Sequence, residues 1–248
     1  SLQIGLTRRW ESGFQFQFNY TYGRSIDDAS AYRREFTNSL AESPYYFDRT
    51  ADRGLSNFHI AHTAVLQYTW DIPFSYSRGS VVGYLLNDWQ TSGILTLSSG
   101  YPFTANVSFD IANTRVREGD RPDLVSGSDN NPVLGGPDRY FDVSAFQLQS
   151  KGNLGTLGRN TLMGPSFAML DVGVLRSVDL GDSHRLEFRL EVFNLLNRAN
   201  FSHPQNRGAG GGVIVFNNLN GIPVGNAATI FATTSSSRQL QLGVRYTF

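Results

Sequence analysis

The stretch FQFQFNYTY (residues 14–22) restricts the fold more than any other part of the chain. In an extended strand Phe14, Phe16, Phe18, Tyr20 and Tyr22 fall on one face, and Gln15, Gln17, Asn19 and Thr21 on the other. A helical period would scatter those five aromatics around the axis. The last eleven residues, RQLQLGVRYTF (238–248), repeat the pattern: Leu240, Leu242, Val244, Tyr246 and Phe248 against Gln239, Gln241, Gly243, Arg245 and Thr247. One face wants an apolar neighbour and the other wants water.

Five further segments alternate in the same way, over residues 2–10, 58–72, 89–99, 167–180 and 184–194. The fourth strand of the seven is the weakest, because Ile94 sits on its more polar face. Pro73 stops the third. Composition agrees with β structure: 18 Phe, 11 Tyr and 25 Gly in 248 residues. Mean hydropathy is -0.27, and the sequence lacks the runs of about 18 apolar residues that membrane helices need. The formal net charge of +0 supplies no global field for nucleic acid, and none is expected as a partner. With no cysteine there are no disulfides, thiolate metal sites or cysteine nucleophile, and such a chain suits an oxidising compartment. The sequence has no initiator Met or signal peptide, and Ser1 to Thr7 already reads as a strand, so a piece of a longer protein is expected.

The connections are uneven. Those after strands one, three and five are short: residues 11–13, 73–88 and 181–183. Those after strands two, four and six are long: residues 24–57, 100–165 and 198–237. The middle long segment is rich in Gly, Asn, Asp and Pro and has room for a short hairpin that the alternation does not place. Long loops at one end and short turns at the other is the layout of an outer-membrane β-barrel. Strands of 9–11 residues cross a bilayer when tilted. With the terminal strand running towards the short-turn end, Trp10, Trp70 and Trp89 all collect at that end with Tyr246 and Phe248, as an aromatic interface girdle does. Tyr20 and Tyr22 lie near the opposite end. Glu187, Arg189 and Glu191, with Asp171 and Arg245 on adjacent strands, then face inward as a polar network of the lumen. On the lipid face each charge would cost roughly 2–4 kcal/mol near the midplane. The fold class expected is therefore all-β: about seven strands of a larger antiparallel up-and-down transmembrane barrel, with long loops on one side.

The stretches GRNTLMGPSFAMLDVGV (158–174), RLEFRLEVFNLLNRANF (185–201) and the terminal QLGVRYTF resemble the C-terminal part of a TonB-dependent outer-membrane transporter of the Oar-like group. The segment EVFNLLN (191–197) is characteristic of that superfamily. DRTADRGLSNFHIAHTAVLQYTWDIPF (48–74) and NDWQTSGILTLSSGYPFT (87–104) are also similar to Oar-like sequences, so the resemblance spans nearly the whole chain. His59 departs from it, standing where the pattern has an acidic residue. The resemblance implies a barrel of about 22 strands with a plugged lumen, plus a signal peptide, regulatory domain, plug and TonB box that lie outside this chain. It also implies that Gln241, Gly243, Tyr246 and Phe248 form the signal recognised by the barrel assembly machinery. The partners implied are outer-membrane lipid, that machinery, and the TonB complex acting through the plug.

Sharper readings of single residues find less support. Asp27, Asp28, Asp48 and Asp52 have no DxDxDG spacing and are expected in a solvated loop rather than a calcium site. His59 and His62 are expected as ordinary strand residues rather than metal ligands. The spacing of Glu187, Arg189 and Glu191 follows from the strand period, which favours a lumen network over an acid–base pair. The glycine run 208–212 lacks the lysine and context of a phosphate loop. No catalytic residue, cofactor or metal is expected, and no enzyme activity. The functional expectation is energised uptake of a substrate that the loops do not identify. The alternatives are a structural or adhesive barrel without transport and, last, a soluble β-sandwich module.

Overall fold

The computed structural model of the chain describes residues 1–28, 48–77, 80–115, 119–181, 184–204 and 213–248. Seven long strands form one sheet: β1 (Leu2–Glu11), β2 (Phe14–Tyr22), β3 (His62–Asp71), β4 (Trp89–Ser98), β5 (Phe167–Asp179), β6 (Arg185–Phe193) and β7 (Gln239–Thr247). They follow one another in sequence order, each antiparallel to the next. Every expected strand is present, with ends within a few residues of those read from the alternation.

Register carries the alternation across the sheet. Leu6, Phe18, Leu66, Leu95 and Leu170 align in one apolar row. Gln15, Thr69, Ser92, Gly173, Glu191 and Gln241 align in a polar one. A slip of one residue would move a whole strand's apolar set to the wet side, so the two-faced pattern pins the register. The break in the β4 alternation has a packing counterpart: Gly93 falls on the apolar face and the Tyr68 ring lies across it, leaving no room for a Cβ. Among the described residues no second sheet covers the apolar face, since the other sheets are two-stranded and made of short strands in the connections. The soluble-sandwich expectation is thereby overturned: a sandwich needs that second layer.

β1 and β2 meet in a two-residue turn whose central residues, Ser12 and Gly13, both have positive φ (53° and 75°), as a hairpin twist requires. The register slips between Arg8 and Glu11. Arg9 and Trp10 therefore oppose the single residue Gln15, as in a β-bulge. β1 and β7 do not pair with each other, so the sheet is open along both.

The sheet contains almost none of the molecule's dry core. The cluster of buried side chains comes from the long connections: Phe103, Val107, Phe141, Phe146, Leu162, Val215 and Phe216 are at its centre. The expected hairpin in residues 100–165 is replaced by a folded assembly. Pro102–Phe103 pairs with Leu162–Met163, and Asp123–Leu124 with Phe146–Gln147. Val213–Phe216, from the connection after β6, pairs in parallel with Ala105–Val107. Alternation cannot reveal such strands, because each is only two to four residues long and its partner lies far along the chain. One short connection also holds an unexpected element, the helix α1 (Val81–Leu86), capped by the Ser80 hydroxyl, which accepts from the Gly83 N–H at 3.0 Å.

Candidate functional site

Two surfaces can meet a ligand: the polar face of the sheet and the loop assembly at one end of it. The polar face forms an open groove of about 600 Å³, lined among others by Trp10, Gln15, Gln17, Gln67, Asp171 and Glu191. Its β1–β4 side is built mainly of carboxamides and hydroxyls. The Gln67 amide donates to Gln17 Oε1 at 2.9 Å, and Gln90 donates to Asp71 at 2.7 Å.

The charges gather towards β7. Arg189 lies 3.1 Å from Glu187 and 3.9 Å from Glu191, which makes a short ladder along β6. Arg245 stands directly opposite Glu187 in the register. Asp171 is on the same face, but its hydrogen bond is to the Asn194 backbone N–H at 2.8 Å, at the start of the connection after β6. It thus holds a strand end rather than joining the ladder. On β7, Gln241 and Gly243 lie on the polar side, opposite Glu191 and Arg189. Tyr246 and Phe248 stack on each other with ring centres 5.9 Å apart, and Tyr246 also stacks on His184, its hydroxyl 2.8 Å from the His184 ring.

Trp10, Trp70 and Trp89 all lie towards the short-connection end, together with Tyr246 and Phe248. Trp70 and Trp89 keep the parity of the apolar face. Trp10 sits in the bulge and lines the polar groove. The bulge has no signature that alternation reads, because the extra residue simply shifts the phase.

The loop assembly is held by polar side chains that sequence reasoning missed. Arg159 is 3% exposed. It donates to the Asp27 carboxylate and to the Asp52 carbonyl, each at 2.6 Å, and to the Asp27 carbonyl. Asn160 donates to the Leu55 carbonyl and to Asn57, each at 2.6 Å. Arg121 sits 3.4 Å from Asp52, an ion pair with both partners buried. The expectation that Asp27 and Asp52 lie in a solvated loop is therefore corrected: they are the acceptors that clamp the first long connection to the second. The signal available was GRN (158–160) together with DRTADRG (48–54), the stretches that carried the family resemblance.

The histidines also differ from ordinary strand positions. His59 is buried in the first long connection, and its Nδ1 accepts the Ser25 N–H at 3.2 Å. An acidic side chain could accept the same bond. Burial, aided by the nearby Arg24 charge, holds the His59 pKa below its ordinary value. His62 does lie in β3, 2.7 Å from the Tyr20 hydroxyl. His203 donates to the Tyr101 carbonyl at 3.0 Å, and burial lowers its pKa despite that bond. Tyr140 donates to the Met163 carbonyl at 3.0 Å and is pushed up to about 12 by burial. Among the described residues, no three His, Asp or Glu side chains are grouped to hold a metal ion. The glycine run 208–212 and Asp182–Ser183 of the turn after β5 lie outside the described residues.

A single antiparallel sheet with one hydrocarbon-like face, one wet face and its long loops at one end defines a length of transmembrane barrel wall. A family model described as an outer membrane beta barrel domain matches residues 1–241. The chain belongs to that family, and its location is the outer membrane. Comparison with curated proteins and with solved structures found no match.

Proposed function

We propose that the chain is the C-terminal part of the barrel of an Oar-like TonB-dependent transporter, working without catalysis in the energised uptake of a substrate. The observation that carries this reading is the loop assembly. Three long connections leave one end of a barrel wall; the second and third share a buried core, and Arg159 and Asn160 tie the first to the second. A folded outer mouth suits capture of a solute too large or too scarce for passive diffusion. β1 and β7 run in the same direction, so antiparallel closure takes an odd number of further strands between them. A plug inside the completed barrel, acted on by the TonB complex, would complete the site, and the barrel assembly machinery would read β7.

The test has two parts. The reading frame upstream of Ser1 is expected to encode further barrel strands, a plug and a TonB box. The intact protein is expected to bind the periplasmic domain of TonB, and to lose that binding when the box is deleted. A structural or adhesive role is the second reading, favoured by the same folded loop surface. A frame with no plug and no TonB binding would end the transport reading and leave this one standing.

A further inference from the structure

The connection between β3 and β4 is too apolar for a turn in water. Phe74, Tyr76, Val81, Val82, Tyr84 and Leu85 are all exposed, Val81 to 76%. α1 is nonetheless held in one place. The Trp89 indole N–H donates to the Leu85 carbonyl at 3.0 Å, and the Arg176 guanidinium lies 5.5 Å from the ring centres of both Tyr84 and Trp89. Trp89 and Arg176 are direct cross-strand partners on the apolar face. The helix is thus pinned to the hydrocarbon side of the wall, continuous with the Trp70 and Trp89 girdle.

The charges on that face point the same way. Arg8 and Arg176 are the two arginines that register places on the apolar face of the seven strands, and both lie towards the short-connection end. Arg8 sits over the Phe14 ring at 5.4 Å. Neither forms an ion pair with a described residue. An arginine stacked on aromatics at the edge of a hydrocarbon belt, with no carboxylate partner, matches the bidentate geometry of a phosphate.

We propose that α1 and its flanking aromatics lie in the headgroup layer of the periplasmic leaflet, and that Arg176, framed by Tyr84 and Trp89, binds the phosphate of a phospholipid headgroup there. Apolar side chains lying in the interface beside a cation that meets lipid phosphate is the arrangement of an in-plane membrane anchor. The inference rests on the placement of the wall in the membrane and not on transport, so loss of TonB binding leaves it standing.

These 248 residues contain no cysteine, so, with any cysteine outside them replaced by serine, Val82→Cys and Leu85→Cys each give the intact protein a unique labelling site. A fluorophore at either position, in vesicles of phosphatidylethanolamine and phosphatidylglycerol, is expected to be quenched about threefold more by shallow brominated lipid than a label at Asn130→Cys, and correspondingly less by aqueous iodide. Iodide access equal to that at Asn130 overturns the proposal, and so does shielding from both quenchers, which would mean that protein covers the helix. In Arg176→Gln, folded by its heat-modifiable migration, the excess of brominated phosphatidylglycerol over brominated diacylglycerol, which has no phosphate, as quencher is expected to fall about fivefold, with recovery in Arg176→Lys. An unchanged lipid preference in Arg176→Gln overturns the phosphate site.

Discussion

Arg159 is where a single side chain has the widest reach among the described residues, since it ties residue 27 to residue 159 through a part-buried charged hydrogen bond. Arg159→Met leaves Asp27 and the Asp52 carbonyl without that donor. Losing one partner of such a part-buried bond costs about 1–3 kcal/mol. The expected outcome is new proteolytic cleavage within the loop assembly while the strands keep their protection. His59→Leu removes the acceptor for the Ser25 N–H and is expected to destabilise the same assembly by about 1–3 kcal/mol in chemical unfolding. His59→Asp, which keeps an acceptor, should cost much less. His59 and His203 also give the assembly a pH dependence of definite sign. Both are held below the ordinary value of 6.5, so the folded loops favour the neutral ring. At pH above 6.5 neither state takes up the proton and nothing is lost. As pH falls through 6.5 the unfolded loops protonate first, and stability declines until the folded pKa values are passed. Hydrogen exchange should therefore report faster opening of residues 99–115 and 194–204 at about pH 5 than at about pH 8.

Among elements, the strands differ from the loops in where their energy comes from. A strand here buries little against protein, and its apolar side needs lipid. Leu190 is mid-strand on β6, in register with Val174 and Leu242. Leu190→Arg is expected to lower stability in vesicles by about 2–4 kcal/mol, measured by the denaturation midpoint. Gln241→Arg, on the wet face of β7, should shift the midpoint little. The strands were readable because alternation over nine or more residues is a local signal that hydrocarbon on one side and water on the other impose directly. The Trp10 bulge and α1 were not: a bulge is one extra residue, and six apolar residues in a helix fit several readings.

The whole molecule divides into a wall with almost no buried core and a loop assembly that has one. The wall has two unpaired edges, and in lipid each unsatisfied backbone group costs several kcal/mol. The 248-residue chain refolded alone is therefore expected to give no monomeric, heat-modifiable band, and to associate through β1 and β7 instead. A sharp monomeric band with native-like resistance to denaturation would contradict this. What the sequence alone determined is the class of surface. Each strand's alternation states which side meets hydrocarbon, and connection lengths state which end carries the loops. Both are short-range properties set by the solvent. What only the tertiary structure decided is the loop architecture. Asp27 and Asp52 look like solvated acids until Arg121 and Arg159, far along the chain, are brought against them. Val213–Phe216 looks like part of a loop until Ala105–Val107 supplies its partner. Such pairings depend on contacts between distant segments, which no local period encodes.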